Sequence, residues 1–168
     1  MTNDSRVNET WIRELYGELE AASNKKIKKS LAAFNTACAS GGLFIRVKQG
    51  SARRIVINYI GKRLNSNSII HHLIRLDADT NLTLIEKGEG ADRSSRVTEI
   101  DLLPNACLNH IRFFGNKVIS DFLSQIFVRQ ATNSSYKEFS LVINNEFIRN
   151  EFYISLEGEE SKVSLSGA

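Results

Sequence analysis

The sequence predicts a mainly β fold, a parallel β-helix entered through short N-terminal helices. Three observations predict it. From Leu43 onward apolar and polar residues alternate, the period of a strand with one face turned inward. These alternating segments recur at spacings of 26 to 29 residues, the mark of stacked repeats. Proline occurs once, at Pro104, as expected where nearly every backbone N–H joins a ladder.

The N-terminal part reads as helical. Trp11, Ile12, Leu15, Tyr16 and Leu19 make an amphipathic stripe, with Glu14, Glu18 and Glu20 on the wetter side. The run Asn24-Lys25-Lys26-Ile27-Lys28-Lys29 reads as solvated charge rather than an anion site, because no aromatic residue interleaves with the lysines. A short helix or turn over Ser30 to Ala39 follows, and Gly41-Gly42 punctuates the chain. The division expected is a helical segment over 1–40 and a β-helix core over 41–168.

Each coil of that core contributes two apolar pairs. Ile45-x-Val47 and Ile55-x-Ile57 begin the series, and Ile74-x-Leu76 with Leu82-x-Leu84 continue it. Ile100-x-Leu102 with Leu108-x-His110, Ile126-x-Val128 with Tyr136-x-Glu138, and Ile154-x-Leu156 with Val163-x-Leu165 complete it. His110 and Glu138 are the polar exceptions. The residues between the pairs, from Arg75 and Thr83 to Ser155 and Ser164, are polar apart from Phe127. Inward columns with polar residues outside describe coils of strand. One coil buries too little to offset its own ordering, so neighbours must cover each other. About five coils at ~4.8 Å spacing are expected. Left-handed hexapeptide helices fit poorly, since their coils run in sixes. Val118 to Phe127 reads equally as a turn of helix or as strand. The last coil, Ile154 to Leu165, is expected to present an uncapped apolar end and unpaired strand edges.

Composition narrows the function classes. Net charge is +3, from 22 basic and 19 acidic residues, too small a surplus to argue for a nucleic-acid or membrane partner. The start, Met1-Thr2-Asn3-Asp4, has no signal-peptide pattern. The uncharged stretch Leu31 to Ile45 is too polar to span a bilayer. Cys38 and Cys107 cannot form a disulfide framework. The expected location is cytoplasmic.

The reactive residues do not assemble into a familiar site. Stacked acids would suit a β-helical carbohydrate-active enzyme, but the column of Asp77 reads on as Leu103, Arg129 and Glu157, and Asp101 reads between Arg75 and Phe127. Glu99 and Asp101 read as an exposed, solvated pair. His71 and His72 are adjacent and so point to opposite faces of a strand. Cys107 and His110 are three apart and face opposite ways too. His110 and Glu138 share an inward column and read as a buried hydrogen-bonded pair or a wet corner. No phosphate loop, nucleophile elbow or His-Glu-x-x-His is present.

Several segments, in order, carry a family resemblance. Ser30-Leu31-Ala32-Ala33-Phe34-Asn35-Thr36-Ala37-Cys38-Ala39, then Gly41-Gly42-Leu43-Phe44-Ile45-Arg46-Val47, resemble the start of the SufB/SufD core. His71-His72-Leu73-Ile74-Arg75-Leu76, Leu82-Thr83-Leu84-Ile85-Glu86, Val97-Thr98-Glu99-Ile100 and Arg149-Asn150-Glu151 continue it. The N-terminal Trp11, Leu15-Tyr16-Gly17 and Leu19-Glu20 look most like SufD.

The resemblance implies a right-handed parallel β-helix in the SUF iron–sulfur cluster assembly machinery. It implies a scaffold rather than an enzyme, supporting cluster assembly and iron acquisition. The implied partners are a SufB-like subunit and the SufC-like ATPase, which would own the nucleotide. A SufB-like scaffold is the alternative, and the carbohydrate-active enzyme a distant one. The family's Cys- and His-bearing "C.HGAT.G" segment and its SufC-docking helices would lie beyond Ala168, so the chain reads as a fragment cut before them. No catalytic, cofactor-binding or metal residue is therefore assigned, and the cluster is the complex's product rather than a cofactor of this chain. His71, His72 and Cys107 are not taken as substitutes.

Overall fold

The structure, a computed structural model, describes residues 10–23, 27–61, 66–88, 90–115, 121–143 and 147–168. Lys25, Lys26 and residues 118–120 lie outside the described residues, while 121–127 belong to a strand. Three short helices come first: α1 (Thr10–Leu15), α2 (Glu18–Ala22) and α3 (Ser30–Cys38). Ten strands follow, β1 (Phe44–Val47), β2 (Ala52–Asn58), β3 (Asn67–Leu76), β4 (Asn81–Lys87), β5 (Arg93–Leu102), β6 (Cys107–Phe114), β7 (Asp121–Gln130), β8 (Ser135–Val142), β9 (Phe147–Leu156) and β10 (Lys162–Gly167).

The chain winds as a parallel β-solenoid. Odd strands form one five-stranded parallel sheet, β1-β3-β5-β7-β9, and even strands the other, β2-β4-β6-β8-β10. Each coil, or rung, lays one strand in each sheet, and inward side chains meet between the sheets. Ile74, Leu76, Leu82, Leu84, Ile100, Leu102, Leu108, Val128 and Tyr136 are in that buried core. The apolar pairs are thus where alternation places them.

Register is where three expectations fail. Ile100 pairs with Val128, not Ile126; Ile126 pairs with Phe152, not Ile154; and Ile55 pairs with Leu84, not Leu82. Each slip is two residues, the step that keeps every side chain on its own face, so apolar content cannot separate the alternatives. One consequence is that Asp101 stacks between Arg75 and Arg129, and Phe127 lies beside Glu99.

The corners carry the register that the apolar pairs leave open. Gly50, Asp79, Asn105, Asn133 and Glu160 have positive φ, from 55° to 70°. Each is followed by a small residue, Ser51, Thr80, Ala106, Ser134 or Ser161. Glycine, Asn and Asp tolerate this conformation best. Asn105 Nδ2 donates to Asp79 Oδ1 at 2.8 Å, and Asn133 Nδ2 to Asn105 Oδ1 at 2.8 Å, a ladder along the corner. Pro104 sits immediately before Asn105, within this corner's turn. At another corner, Gly115 has φ 123° and approaches the Ile143 carbonyl so closely that a Cβ would lie 1.7 Å from its oxygen. Only glycine fits there.

The amphipathic stripe is broken into two helices. Gly17 adopts φ 75° between α1 and α2, so the segment folds back onto the outer face of the odd-numbered sheet. Trp11, Ile12, Leu15 and Leu19 pack with Ala32, Leu73, Val97 and Phe127. Glu20 is buried rather than on the wetter side, and Thr36 Oγ1 donates to it at 2.7 Å.

Candidate functional site

Two polar centres are built on this frame, one inside the solenoid and one beneath the helices. The inner centre lies where alternation continues past the apolar pairs. Glu86 follows Leu84 on β4, Arg112 follows His110 on β6, and Arg96 precedes Thr98 on β5, so all three point inward. Glu86, Arg96, His110 and Arg112 are each at most 1% exposed.

Glu86 is the hub. It accepts from Tyr59 Oη at 2.8 Å, from Arg96 Nη1 at 3.1 Å and from His110 Nε2 at 2.6 Å. Burial by itself would raise its pKa. The hydrogen bond and charge of His110, with Arg96 and Arg112, reverse this and hold the carboxyl well below its usual range. Burial, with Glu86 beside it, pushes the Tyr59 hydroxyl up. The Arg96 guanidinium lies over the Tyr59 ring at 3.4 Å and near Phe122 at 4.8 Å, so its faces are covered by aromatic rings.

Hydrogen-bond directions follow from one backbone group. Leu43 N–H donates to His72 Nδ1 at 3.0 Å. Burial, with Arg96 and the neighbouring histidines, pushes His72 down to about 4, outweighing Glu86. His72 is therefore neutral at pH 7, its proton is on Nε2, and Nε2 donates to Tyr59 Oη at 2.8 Å. Tyr59 in turn donates to Glu86. Beyond the hub, His110 Nδ1 lies 3.1 Å from Tyr136 Oη. Arg112 Nη2 donates to Ser124 at 2.5 Å and to Asn150 at 3.3 Å, and its Nη1 lies 3.5 Å from Glu138. Ser140 also donates to Glu138. A polar chain thus runs along the solenoid axis between the sheets.

This corrects the expected His110–Glu138 pair: His110 bonds Glu86 on the rung before it, and Glu138 belongs to Arg112 and Ser140. The centre was missed in the sequence because a charged residue two positions beyond an apolar pair reads as the end of the strand.

The outer centre gathers residues read as separate. Glu99 accepts from Gly17 N at 2.5 Å, from Leu19 N at 2.7 Å and from His71 Nε2 at 2.7 Å. Its charge sits against the first turn of α2, where unpaired N–H groups favour an anion. Tyr16 stacks on His71 at 4.3 Å. Asn35 Nδ2 donates to the carbonyls of Ile70 and Ser95 at 3.2 and 3.0 Å, fixing α3 to the same sheet. Asp101 is held by Arg129 at 3.0 Å and Arg75 at 3.4 Å. Glu99 and Asp101 are 0% and 2% exposed. The solvated acidic pair of the sequence reading is instead two locked, buried carboxylates, unavailable as the acid and base of glycoside cleavage.

The remaining candidates are dispersed. His71 and His72 face opposite sides of β3, as their adjacency requires. Cys107 is partly exposed at the start of β6 while His110 is buried within. Cys38 is exposed at the end of α3. Asp77 pairs with Arg46 at 3.0 Å. Among the described residues no three His, Cys, Asp or Glu side chains come together as a metal site. A cleft of about 280 Å³ lies between α2 and the odd-numbered sheet, lined by Leu19, Ile27, Arg129, Tyr153 and Glu157 among others. Among the described residues no helix is long and apolar enough to cross a membrane.

Comparison with known families settles the kinship. The family described as SUF system FeS cluster assembly, SufBD core domain, matches residues 58–168. The chain belongs to this SufBD core family. The matched part runs from the last residue of β2 through β10, so it contains most of the solenoid and its polar interior. No curated protein and no solved structure gives a significant match to the chain. The SufBD core family is a scaffold component of iron–sulfur cluster assembly.

Proposed function

We propose that this chain is a SufD-like scaffold subunit of the SUF complex, supporting cluster assembly and iron acquisition beside a SufB-like subunit and the SufC-like ATPase. The observation that carries the reading is the SufBD core match over residues 58–168. The N-terminal Trp11, Leu15-Tyr16-Gly17 and Leu19-Glu20 segment, which looks like SufD, supports that branch over SufB. In this reading the chain is not an enzyme, and the nascent cluster is cargo formed at the assembled complex. Its location is cytoplasmic. The solenoid's part is to hold a fixed shape while the ATPase works. Ion-paired carboxylates inside and under the helices specify that shape, since moving any one partner would strand a buried charge.

Co-expression with tagged SufB-type and SufC-type subunits tests the proposal. The chain is expected to co-purify with both. Binding to a SufD-type subunit instead of a SufB-type one would assign the chain to the SufB branch. Capture of none of the three would refute the reading.

A further inference from the structure

The two sheets differ in how charge is balanced on their outer faces. The helices pack on the odd-numbered sheet, and each outward arginine of that sheet meets a carboxylate of its own chain. Arg46 pairs with Asp77, Arg75 and Arg129 with Asp101, Arg93 with Asp121, and Arg149 with Glu151.

The even-numbered sheet has no such balance. Its strands β2, β4, β6, β8 and β10 carry two carboxylates, Glu86 and Glu138, and alternation turns both inward. Arg54, Lys87, Lys137 and Lys162 point outward and are exposed. Among the described residues none of these four cations forms an ion pair.

An apolar column runs between the cations. Val56 stands beside Ile85, Ile85 beside Ile111, and Ile111 beside Phe139. Phe113 beside Leu141 widens the column. Val56, Phe113 and Phe139 are 52%, 40% and 39% exposed. The column crosses β2, β4, β6 and β8 on the side of the solenoid, so it exists whatever lies beyond the last rung. Contiguous exposed apolar surface with a polar rim marks a contact face.

Charge decides what fits it. A second copy presenting the same face would set four cations against four. Nucleic acid suits the cations but not the centre, where Val56, Ile85 and Ile111 offer a base neither a ring to stack on nor a hydrogen bond. Apolar side chains bordered by Asp and Glu would satisfy both the column and its rim.

We propose that the outer face of the even-numbered sheet docks an acidic partner protein, whose apolar side chains lie along the column and whose carboxylates meet Arg54, Lys87 and Lys137. The identity of that partner rests on the scaffold reading above; the chemistry of the face does not.

Fluorescence anisotropy of the chain Met1–Ala168 tests the chemistry, with a labelled peptide that carries leucines on one helical face and glutamates on its flanks. Saturable binding is expected, weakening as salt is raised. A peptide with lysine for each glutamate is expected not to bind. Lys87→Glu/Lys137→Glu and Phe113→Ser/Phe139→Ser are each expected to weaken binding about ten-fold or more. Lys48→Glu, which reverses a cation at a corner off this face, is expected to leave it unchanged. Circular dichroism matching the parent establishes folding, and should one pair of substitutions not fold, the other pair and the lysine peptide decide. No binding, equal binding of both peptides, or tighter binding of single-stranded polyuridylate or anionic vesicles would overturn the proposal. Co-purification of the same variants with tagged SufB-type and SufC-type subunits separates it from the scaffold reading. Loss of a subunit from both face variants, but not from Lys48→Glu, is expected. Retention of both subunits by the face variants would overturn the docking face and leave the scaffold reading standing. Capture of neither by the parent would refute the scaffold reading, and the peptide result would still decide the face.

Discussion

At the scale of residues, stability is concentrated in Glu86. Glu86→Gln keeps the volume but leaves the buried Arg96 guanidinium without its counter-charge. Removing one partner of such a pair costs about 3–5 kcal/mol, to be read from urea unfolding at neutral pH; a loss below 1 kcal/mol would show the hub to be dispensable. Acid should weaken the fold in two stages. Histidine ordinarily titrates near 6.5, and folded His72 is held at about 4. Between those values the unfolded chain binds a proton that folded His72 does not, so stability is full above pH 6.5 and falls as pH drops toward 4. This limb amounts to about 3 kcal/mol. Below the ordinary carboxylate value of 4.5, Glu86 adds a further loss, because its folded pKa is depressed. His72→Gln should flatten the upper limb only, checked by urea midpoints against pH. The apolar neighbours of these groups were legible from alternation. Their charges were not, because a sequence shows Glu86 as polar without showing that three donors meet it in the core.

At the scale of elements, the helices depend on Glu99. Helices of six, five and nine residues are too short to persist without tertiary support. Glu99→Gln removes the charge and turns an amide N–H₂ toward backbone donors. About 2–3 kcal/mol of local stability should be lost. In hydrogen exchange, protection across residues 10–38 should fall while β5 and β6 keep theirs; equal loss in both would mean that the helices and strands unfold as one unit. The helical pattern of Trp11 to Leu19 was readable in outline. Its break was not read, because Gly17 was counted within the stripe rather than as a positive-φ turn. The corners show the reverse case. Gly50, Asp79, Asn105, Asn133 and Glu160 repeat visibly in the sequence, and this repeat, rather than the apolar pairs, specifies the observed register.

At the scale of the whole molecule, each rung contacts its neighbours in a linear array, so stability should grade from the centre to the ends. Inward residues of the middle rungs, such as Ile100, Leu102 and Leu108, are fully buried, whereas every residue of β10 is exposed. Amide exchange should therefore be slowest in β5 and β6 and fastest in β10 and β2; a uniform rate along the solenoid would indicate all-or-none opening.

The sequence by itself determined the class of fold, a coiled parallel β-structure of 26- to 29-residue repeats, because alternation and spacing are local properties that a single chain displays. It also carried the kinship with SufB and SufD. Only the tertiary structure decided which residues face each other at the three slipped joints, and which charges are buried together. A shift of two residues leaves every face unchanged, and an ion pair's energy depends on partners brought close from distant parts of the chain.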